Sequence, residues 1–145
     1  MICAFEIIEH LFDPKSILLD MRRILNKKGI ILISTPNVEG FEMSVLEKVC
    51  DTYFAPTHLN YFSIKTLPML LENCGFEVLK IETPGQLDIE ISRKKVLQNK
   101  IKLKNQFLKT ILIDKYDEIG EKFQKFLQEN KLSSHMWITA RKCEG

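Results

Sequence analysis

Two short apolar runs on either side of one helical pattern constrain the fold of this chain most strongly. The first run is Ile2–Phe5 and the second is Ile30–Thr35. Short apolar runs are typical of strands that are buried on both faces of a parallel sheet. Between them, Asp13 and Pro14 provide the N-cap and the first position of an amphipathic helix, which Gly29 terminates. A strand, a helix and a strand joined by short links predict a right-handed βαβ unit.

The patterns that follow extend this unit into a doubly wound α/β sheet. Helical spacing predicts a short helix over Met43–Val49 and a second helix from Thr66 to a glycine stop at Gly75. Alternating apolar and polar residues predict a half-exposed strand over Phe76–Thr83. The sequence therefore divides into three parts, which are a βαβαβ core over residues 1–86, a helical insertion over 87–131 and a final strand over 132–142.

The predicted insertion begins with a basic stretch and continues with a stronger helix. The lysines and arginines between Arg93 and Lys109, including Lys104, predict a solvated helical face, with binding of an anionic or RNA substrate as the alternative. Residues 114–130 predict an amphipathic helix. Its apolar stripe consists of Ile119, Phe123, Phe126 and Leu127.

Composition and charge exclude several classes of protein. Of the 145 residues, 45% are hydrophobic and 28% are charged, as in an ordinary soluble domain with its own core. The formal net charge of +2 gives no overall preference for a polyanionic partner. The four cysteines are scattered without a C-x-x-C pair, which favours reduced thiols in the cytoplasm. No apolar run approaches the ~18 residues of a membrane span, and no signal peptide is indicated.

Acidic and imidazole side chains follow the first predicted strand. Glu6, Glu9 and His10 form an E-x-x-E-H pattern, and positions i, i+3 and i+4 of a turn project to one side. His58 follows the next predicted strand, which places it at the same carboxyl end of a parallel sheet. The alternative is that the carboxylates complement a helix N-terminus and that His10 is a hydrogen-bonded loop residue. Both interpretations are open from the residues alone.

Five segments of the chain carry a family resemblance. The segments are 5–14 (FEIIEHLFDP), 23–37 (RILNKKGIILISTPN), 58–63 (HLNYFS), 71–76 (LENCGF) and 132–137 (LSSHMW). In this order and at this spacing they resemble the second half of a class I S-adenosylmethionine-dependent methyltransferase. The resemblance extends over nearly the whole chain and is weakest over 89–131. We therefore interpret residues 1–145 as a partial methyltransferase domain.

The resemblance implies a fold and a cofactor. The family's Rossmann-like sheet has the strand order 3-2-1-4-5-7-6 with an antiparallel last strand, so this α/β chain is expected to form the 4-5-7-6 part. In that family S-adenosylmethionine binds where strands one and four end. Phe5 and Glu6 are therefore expected to contact the cofactor. No G-x-G-x-G occurs in the sequence, so we expect an incomplete cofactor site and a fragment that is inactive alone.

The E-x-x-E-H pattern with a later histidine resembles the metal site of small-RNA 2′-O-methyltransferases and of ubiquinone-biosynthesis O-methyltransferases. The resemblance implies that Glu6, Glu9, His10 and His58 hold a divalent ion, which lowers the pKa of an acceptor hydroxyl. Oxygen ligands suit Mg²⁺, and added imidazoles suit Mn²⁺, Zn²⁺ or iron, so the identity of the ion is open. His10 and His58 are the expected catalytic residues. Positioning of cofactor or substrate without a metal is the alternative.

The resemblance further implies O-methylation of a small molecule or glycan precursor. The alternatives are a non-catalytic half-domain that needs a partner chain and a fragment of an RNA 2′-O-methyltransferase, with nucleic acid the less favoured partner. His135 is expected either to contact substrate in the crevice or to be an ordinary edge histidine. Phe54, Tyr61 and Phe62 are expected to pack in the core and its lid rather than to stack on bases. The sequence predicts no particular oligomeric state.

Overall fold

Strands and helices alternate through the part of the chain that the computed structural model describes, which is residues 1–52, 56–103 and 105–144. The strands are β1 (Ile2–Phe5), β2 (Ile30–Pro36), β3 (Phe76–Glu82) and β4 (His135–Lys142). The α-helices are α1 (Pro14–Ile24), α2 (Phe41–Leu46), α3 (Thr66–Asn73), α4 (Asp88–Leu97), α5 (Gln106–Lys109) and α6 (Tyr116–Glu129). Short 3₁₀ turns cover Ile8–His10 and Glu47–Val49, and a π-helical turn covers Thr110–Asp114.

The four strands form one sheet in the order β1-β2-β4-β3. β1 and β2 are parallel, whereas β4 runs antiparallel to both β2 and β3. This arrangement corresponds to the order 4-5-7-6 with an antiparallel last strand, so the predicted half of a Rossmann-like sheet is confirmed. Among the helices of the described residues, none is both long enough and apolar enough to cross a membrane.

The first hydrophobic core lies between one face of the sheet and helices α1 and α3. Leu18 in α1 and Leu71 in α3 are at most 1% exposed. Alternate residues of β4 point into the same core and are completely buried, namely Met136, Ile138 and Ala140. Burial of every second residue follows from the two-residue period of a strand. This core fixes the sheet to the two helices that connect its strands.

A second core joins α2 to the predicted helical insertion. It contains Met43 and Leu46 from α2, Ile89 from α4 and Leu127 from α6, all at most 3% exposed. The sequence placed α2 with the βαβαβ part over residues 1–86, whereas α2 packs here against the helices that follow β3. α2, α4 and α6 therefore share a hydrophobic core of their own.

β1 differs from the predicted strand buried on both faces. Ala4 is buried, but Cys3 is exposed and Phe5 keeps 49% of its accessible surface. β1 lies at an edge of the sheet, and its Ala4 side faces the first core while the Phe5 side stays open. The prediction was wrong because a short apolar run does not distinguish a strand covered on two faces from one covered on a single face.

The glycines that end the helices act in two different ways. Gly75 follows α3 with φ of 79°, which confirms the predicted glycine stop. After α1, however, the residue with positive φ is Lys28, at 58°, rather than Gly29. Gly29 is required for a different reason, because a Cβ atom there would lie 2.9 Å from the Asn26 carbonyl oxygen.

Two details of the insertion also differ from the prediction. Phe126 is 46% exposed and does not complete the buried stripe of α6. The basic stretch is not fully solvated, because the Arg93 guanidinium lies 4.1 Å from the centroid of the Tyr116 ring. Lys95 also keeps only 12% of its side-chain surface and pairs with Asp51 at 2.6 Å.

Leu18→Ala is expected to destabilise the chain by about 2–5 kcal/mol, because it removes a fully buried side chain from the first core. Ile24→Ala is the matched control, since Ile24 lies on the same helix and is 64% exposed. We expect this control to change the free energy of unfolding by less than about 0.5 kcal/mol. Urea unfolding followed by circular dichroism measures both. Equal effects of the two substitutions would contradict this assignment of the core.

Candidate functional site

Two hydroxyl groups at the end of β2 hold the glutamates of the E-x-x-E-H segment. The Ser34 hydroxyl donates to Glu6 Oε1 at 2.7 Å, and the Thr35 hydroxyl donates to Glu9 Oε2 at 2.9 Å. Neighbouring strand residues project to opposite faces of a sheet. The two carboxylates are therefore anchored on different sides of β2, although their carboxyl groups still interact beyond the strand end.

The backbone around this segment leaves β1 abruptly and is then held by a later loop. Glu6 has φ of 51°, a left-handed conformation that is uncommon for a residue with a side chain. The chain turns there into the 3₁₀ turn Ile8–His10. The Glu9 carbonyl oxygen accepts the N–H groups of Leu59 and Asn60 at 2.8 and 2.9 Å. These hydrogen bonds place the loop that carries His58 directly against the turn.

Glu9, His10 and His58 form the candidate metal cluster. One possible ligand atom from each residue lies within 4.8 Å of the other two. The imidazole rings of His10 and His58 meet edge to face, with centroids 4.7 Å apart. Glu6, the fourth predicted ligand, is not a member of this group, because its carboxylate is held on the Ser34 side of β2.

Both histidines of the cluster are oriented by backbone carbonyl groups. His10 Nδ1 lies 2.6 Å from the Thr57 carbonyl oxygen, and His58 Nδ1 lies 2.7 Å from the Thr52 carbonyl oxygen. A carbonyl oxygen only accepts hydrogen bonds, so each Nδ1 carries a proton. In the neutral rings the lone pair is then on Nε2. Metal-binding histidines are typically oriented in this way.

Glu9 is the member of the candidate cluster whose hydrogen bonding is incomplete. Its side chain is only 2% exposed, and Oε1 has no hydrogen-bond donor among the described residues. His10 Nε2 lies 3.9 Å from this oxygen, beyond hydrogen-bond length. A buried polar atom without a partner costs about 1–3 kcal/mol. A cation bound next to Oε1 would remove this cost.

Glu6 also pairs with His135, on the face of the sheet that carries the Ser34 side chain. His135 Nε2 lies 2.7 Å from Glu6 Oε1, although the two residues are 129 positions apart in the sequence. Burial alone would raise the pKa of Glu6, but the hydrogen bonds from His135 and Ser34 outweigh it and lower the pKa. Glu6 is therefore ionised at neutral pH. Phe5 and Trp137 lie on the same face, with ring centroids 5.9 Å apart.

A cavity of about 630 Å³ opens on this face, and we call it the β4 cavity. Glu6, His135 and Trp137 line its sheet side, and Leu87, Asp88 and Ile91 from the start of α4 line the opposite side. Its volume falls in the range of small-molecule sites in proteins. The cavity lies at the carboxyl ends of β1 and β2, where α/β sheets bind their ligands.

Comparisons with known proteins decide the family. The profile described as a methyltransferase domain matches residues 1–81, which is more than half of the chain. The chain belongs to this methyltransferase family. A probable S-adenosylmethionine-dependent methyltransferase of Mycolicibacterium smegmatis is 35% identical to this family member over 78 residues, which are 54% of this chain and 28% of that protein.

Solved structures share the fold of this methyltransferase family member. They include a SAM-dependent methyltransferase from Archaeoglobus fulgidus, with TM-score 0.55 and 19% identity over 97% of this chain and 57% of that chain. They also include a 4+2 cyclase, SpnF, with TM-score 0.53 and 16% identity over 99% of this chain and 49% of that chain. At such identities the likeness shows the fold alone, and one fold supports different reactions. This chain spans between 28% and 57% of the length of these three relatives.

The structure brings together three of the four predicted metal ligands, and it gives Glu6 and His135 a pairing that the sequence did not predict. Sequence reasoning also missed the two anchoring hydroxyls, Ser34 and Thr35. The only signal for them was the polar Ser-Thr pair that ends an otherwise apolar strand.

The predicted packing of the aromatic residues near the site agrees with the structure at some positions only. Phe62 is 8% exposed and belongs to the first core, as predicted, whereas Tyr61 is 40% exposed. The predictions for Phe54 and Lys104 lie outside the described residues. The packing role expected of this aromatic group is therefore confirmed for Phe62.

Glu42→Gln is expected to change how stability depends on pH. Burial raises the pKa of Glu42, which lies on α2 and lines the β4 cavity, above its ordinary 4.5. As the pH rises above 4.5 the unfolded chain loses this proton before the folded chain does, so the folded state becomes less stable. The glutamine variant has no proton to lose at this position, so its stability does not decrease for this reason. Urea unfolding should show equal stabilities below pH 4.5 and a growing advantage of the variant above it, and parallel curves would contradict the raised pKa.

Proposed function

We propose that this chain supplies the C-terminal half of an S-adenosylmethionine-dependent methyltransferase domain, and that the complete domain methylates an oxygen atom of a small molecule or glycan precursor. The observation that carries the proposal is the convergence of Glu9, His10 and His58, next to Glu6, at the carboxyl ends of the parallel strands. The four free cysteines support a reducing, cytoplasmic setting.

Phe5 and Glu6 are the residues that we expect to contact the cofactor. Phe5 presents a half-exposed aromatic ring at the end of β1, and the Glu6 side chain is 47% exposed and ionised. An apolar ring beside a carboxylate fits one side of a ligand that carries an adenine, hydroxyl groups and a positive sulfonium. The cofactor, when bound, supplies an electrophilic methyl group. The chain's own contribution is to form the strand-four wall of the crevice.

Glu9, His10 and His58 fit a divalent cation. The fit rests on the unsatisfied Glu9 Oε1 and on the two Nε2 lone pairs that the backbone carbonyls orient. Two imidazoles in a set of three donors favour Mn²⁺, Zn²⁺ or Fe²⁺ over Mg²⁺. A bound cation would supply Lewis-acid chemistry that lowers the pKa of an acceptor hydroxyl.

Methyl transfer to oxygen requires that the acceptor oxygen is aligned with the methyl group and loses its proton. In the metal-free chain, His10 Nε2 or His58 Nε2 is the atom that accepts this proton, because each Nδ1 is already protonated and bonded to a carbonyl. The buried Glu9 carboxylate then stabilises the imidazolium, as its Oε1 lies 3.9 Å from His10 Nε2. Proton acceptance and metal binding are alternative uses of the same lone pairs, which a metal titration distinguishes.

The experiment that tests this proposal uses a completed domain, in which the glycine-rich half of a family member precedes Ile2. This protein is incubated with methyl-labelled S-adenosylmethionine, Mn²⁺ and the separated small-molecule and RNA fractions of a cell extract. We expect label in the small-molecule fraction as a methyl ether, and less of it with Glu9→Gln. Label in the RNA fraction alone would favour the RNA alternative, and a methyl group found on nitrogen would overturn the oxygen assignment.

A further inference from the structure

The residues that line the β4 cavity indicate which kind of methyl acceptor would fit there, whereas the candidate metal cluster does not. Three carboxyl-bearing residues line it, namely Glu6, Glu42 and Asp88, and among the described residues no lysine or arginine does. Glu6 and Asp88 belong to hydrogen-bond networks that hold them in place. Asp88 is 3% exposed and accepts bonds from Gln124, Ser133 and the Ser134 backbone N–H at 2.6–2.8 Å.

Most of the ionisable side chains that line the β4 cavity are carboxyl groups. Burial is the main cause of the raised pKa of Glu42, and the charge of Asp88 raises it further. The carboxyl group of Glu42 interacts with the Cys50 thiol at 3.4 Å, a weak donor that compensates little. An anionic group placed in this cavity would be repelled by Glu6 and Asp88, whereas an uncharged or cationic group would not.

Apolar side chains contribute much of the remaining lining of the β4 cavity. Trp137 is 38% exposed, and Leu87 and Ile91 face it from the start of α4. An exposed indole favours stacking of another ring on its face. The Glu6–His135 pair lies next to Trp137 and offers hydrogen-bonding groups for a hydroxyl on such a ring.

We propose that the β4 cavity binds the methyl acceptor and that this acceptor is an uncharged or cationic planar ring that carries a hydroxyl group. The inference rests on the proposed methyltransferase function and specifies its substrate class. The ring stacks on Trp137, and its hydroxyl group points to Glu6, whose carboxyl group interacts both with His135 and with Glu9 of the histidine cluster. The carboxyl groups of the cavity exclude anionic analogues of the same shape.

A neighbouring cavity of about 460 Å³ provides the contrasting environment. It shares Glu42, Thr52 and Ile91 with the β4 cavity, and its other charged residues are one aspartate and three lysines, namely Asp51, Lys94, Lys95 and Lys100. An anionic ligand would prefer this lysine-lined cavity. The charge of the preferred ligand therefore reports which of the two cavities is used.

Three small molecules of nearly the same shape test the inference. They are 4-hydroxybenzamidine, 4-hydroxybenzamide and 4-hydroxybenzoate. They are planar and nearly isosteric, and at neutral pH they carry a positive, zero and negative charge. Trp137 is the single tryptophan of the chain, so its fluorescence reports binding in the β4 cavity directly. We expect the amidine and the amide to bind at least about tenfold more tightly than the benzoate.

Substitutions then assign the discrimination to the β4 cavity. Glu6→Gln is expected to remove most of the difference between the amide and the benzoate. The matched control Glu72→Gln, at an exposed position of α3, is expected to preserve it. Glu42→Gln provides a second variant if Glu6→Gln unfolds the chain, and a smaller discrimination is expected with it.

Three outcomes would overturn the inference. One is benzoate binding as tight as that of the amide, and a second is no change in Trp137 emission with any probe at millimolar concentration. The third is benzoate binding that is preferred and is weakened by Lys94→Gln, which would place the acceptor in the lysine-lined cavity. None of these outcomes affects methyl transfer by the completed domain, so failure of the substrate class is distinguishable from failure of the proposed function.

Discussion

His58→Ala is expected to weaken Mn²⁺ binding by this chain at least about a hundredfold, because loss of even an outer-shell partner of a metal site typically costs 10–100-fold. His58 provides one of three candidate donor atoms within 4.8 Å of one another. His135→Ala is the matched control. His135 is also a half-exposed histidine with a glutamate partner, but that partner is Glu6, on the other side of β2. The control is expected to bind Mn²⁺ as the unmodified chain does.

Mn²⁺ is the appropriate probe because the exposed thiols of Cys3 and Cys143 would compete for Zn²⁺. Electron paramagnetic resonance measures it directly, since the sharp signal of aqueous Mn²⁺ falls when the ion is bound. Circular dichroism establishes that both variants are folded. Equal binding by the two variants, or none by the unmodified chain, would contradict the assignment and leave the histidines as proton acceptors only.

Local patterns were sufficient to predict the elements that surround the site. The Asp13 side chain accepts the Ser16 backbone N–H at 2.9 Å, as an N-cap should, and Pro14 begins the helix. The two strands beside that helix are parallel neighbours, as the βαβ rule requires. The position of the antiparallel last strand came instead from the family resemblance, because strand order is not encoded in periodicity.

The candidate site was predictable only in part. Glu9 and His10 are adjacent in sequence, so their proximity was readily predicted. The position of Glu6 outside the candidate metal cluster could not be predicted. It depends on which hydroxyl group of β2 each carboxylate accepts from, and on His135 from the far end of the chain. Long-range pairings of this kind depend on strand register, and a shift by one residue exchanges the two faces of a strand.

Completion of the domain is expected to have the largest effect of all on cofactor binding. The proposed cofactor contacts of this chain are Phe5 and Glu6, and its sequence contains no G-x-G-x-G turn. In dinucleotide-type sheets such a turn and the helix that follows it provide much of the ligand contact. β1 is also an edge strand, and its free edge is where additional strands would pair. We therefore expect weak binding by this chain and strong binding by the completed domain.

Calorimetric titration with S-adenosylmethionine tests this account most directly. The completed domain is expected to bind with a dissociation constant on the order of micromolar, in the range usual for enzyme ligands, and this chain more than about a hundredfold more weakly. In the completed domain, Phe5→Ala should weaken binding, while Phe12→Ala, at a 95% exposed phenylalanine outside the crevice, should not. Tight binding by this chain alone would contradict the claim that it forms one side of the cofactor site.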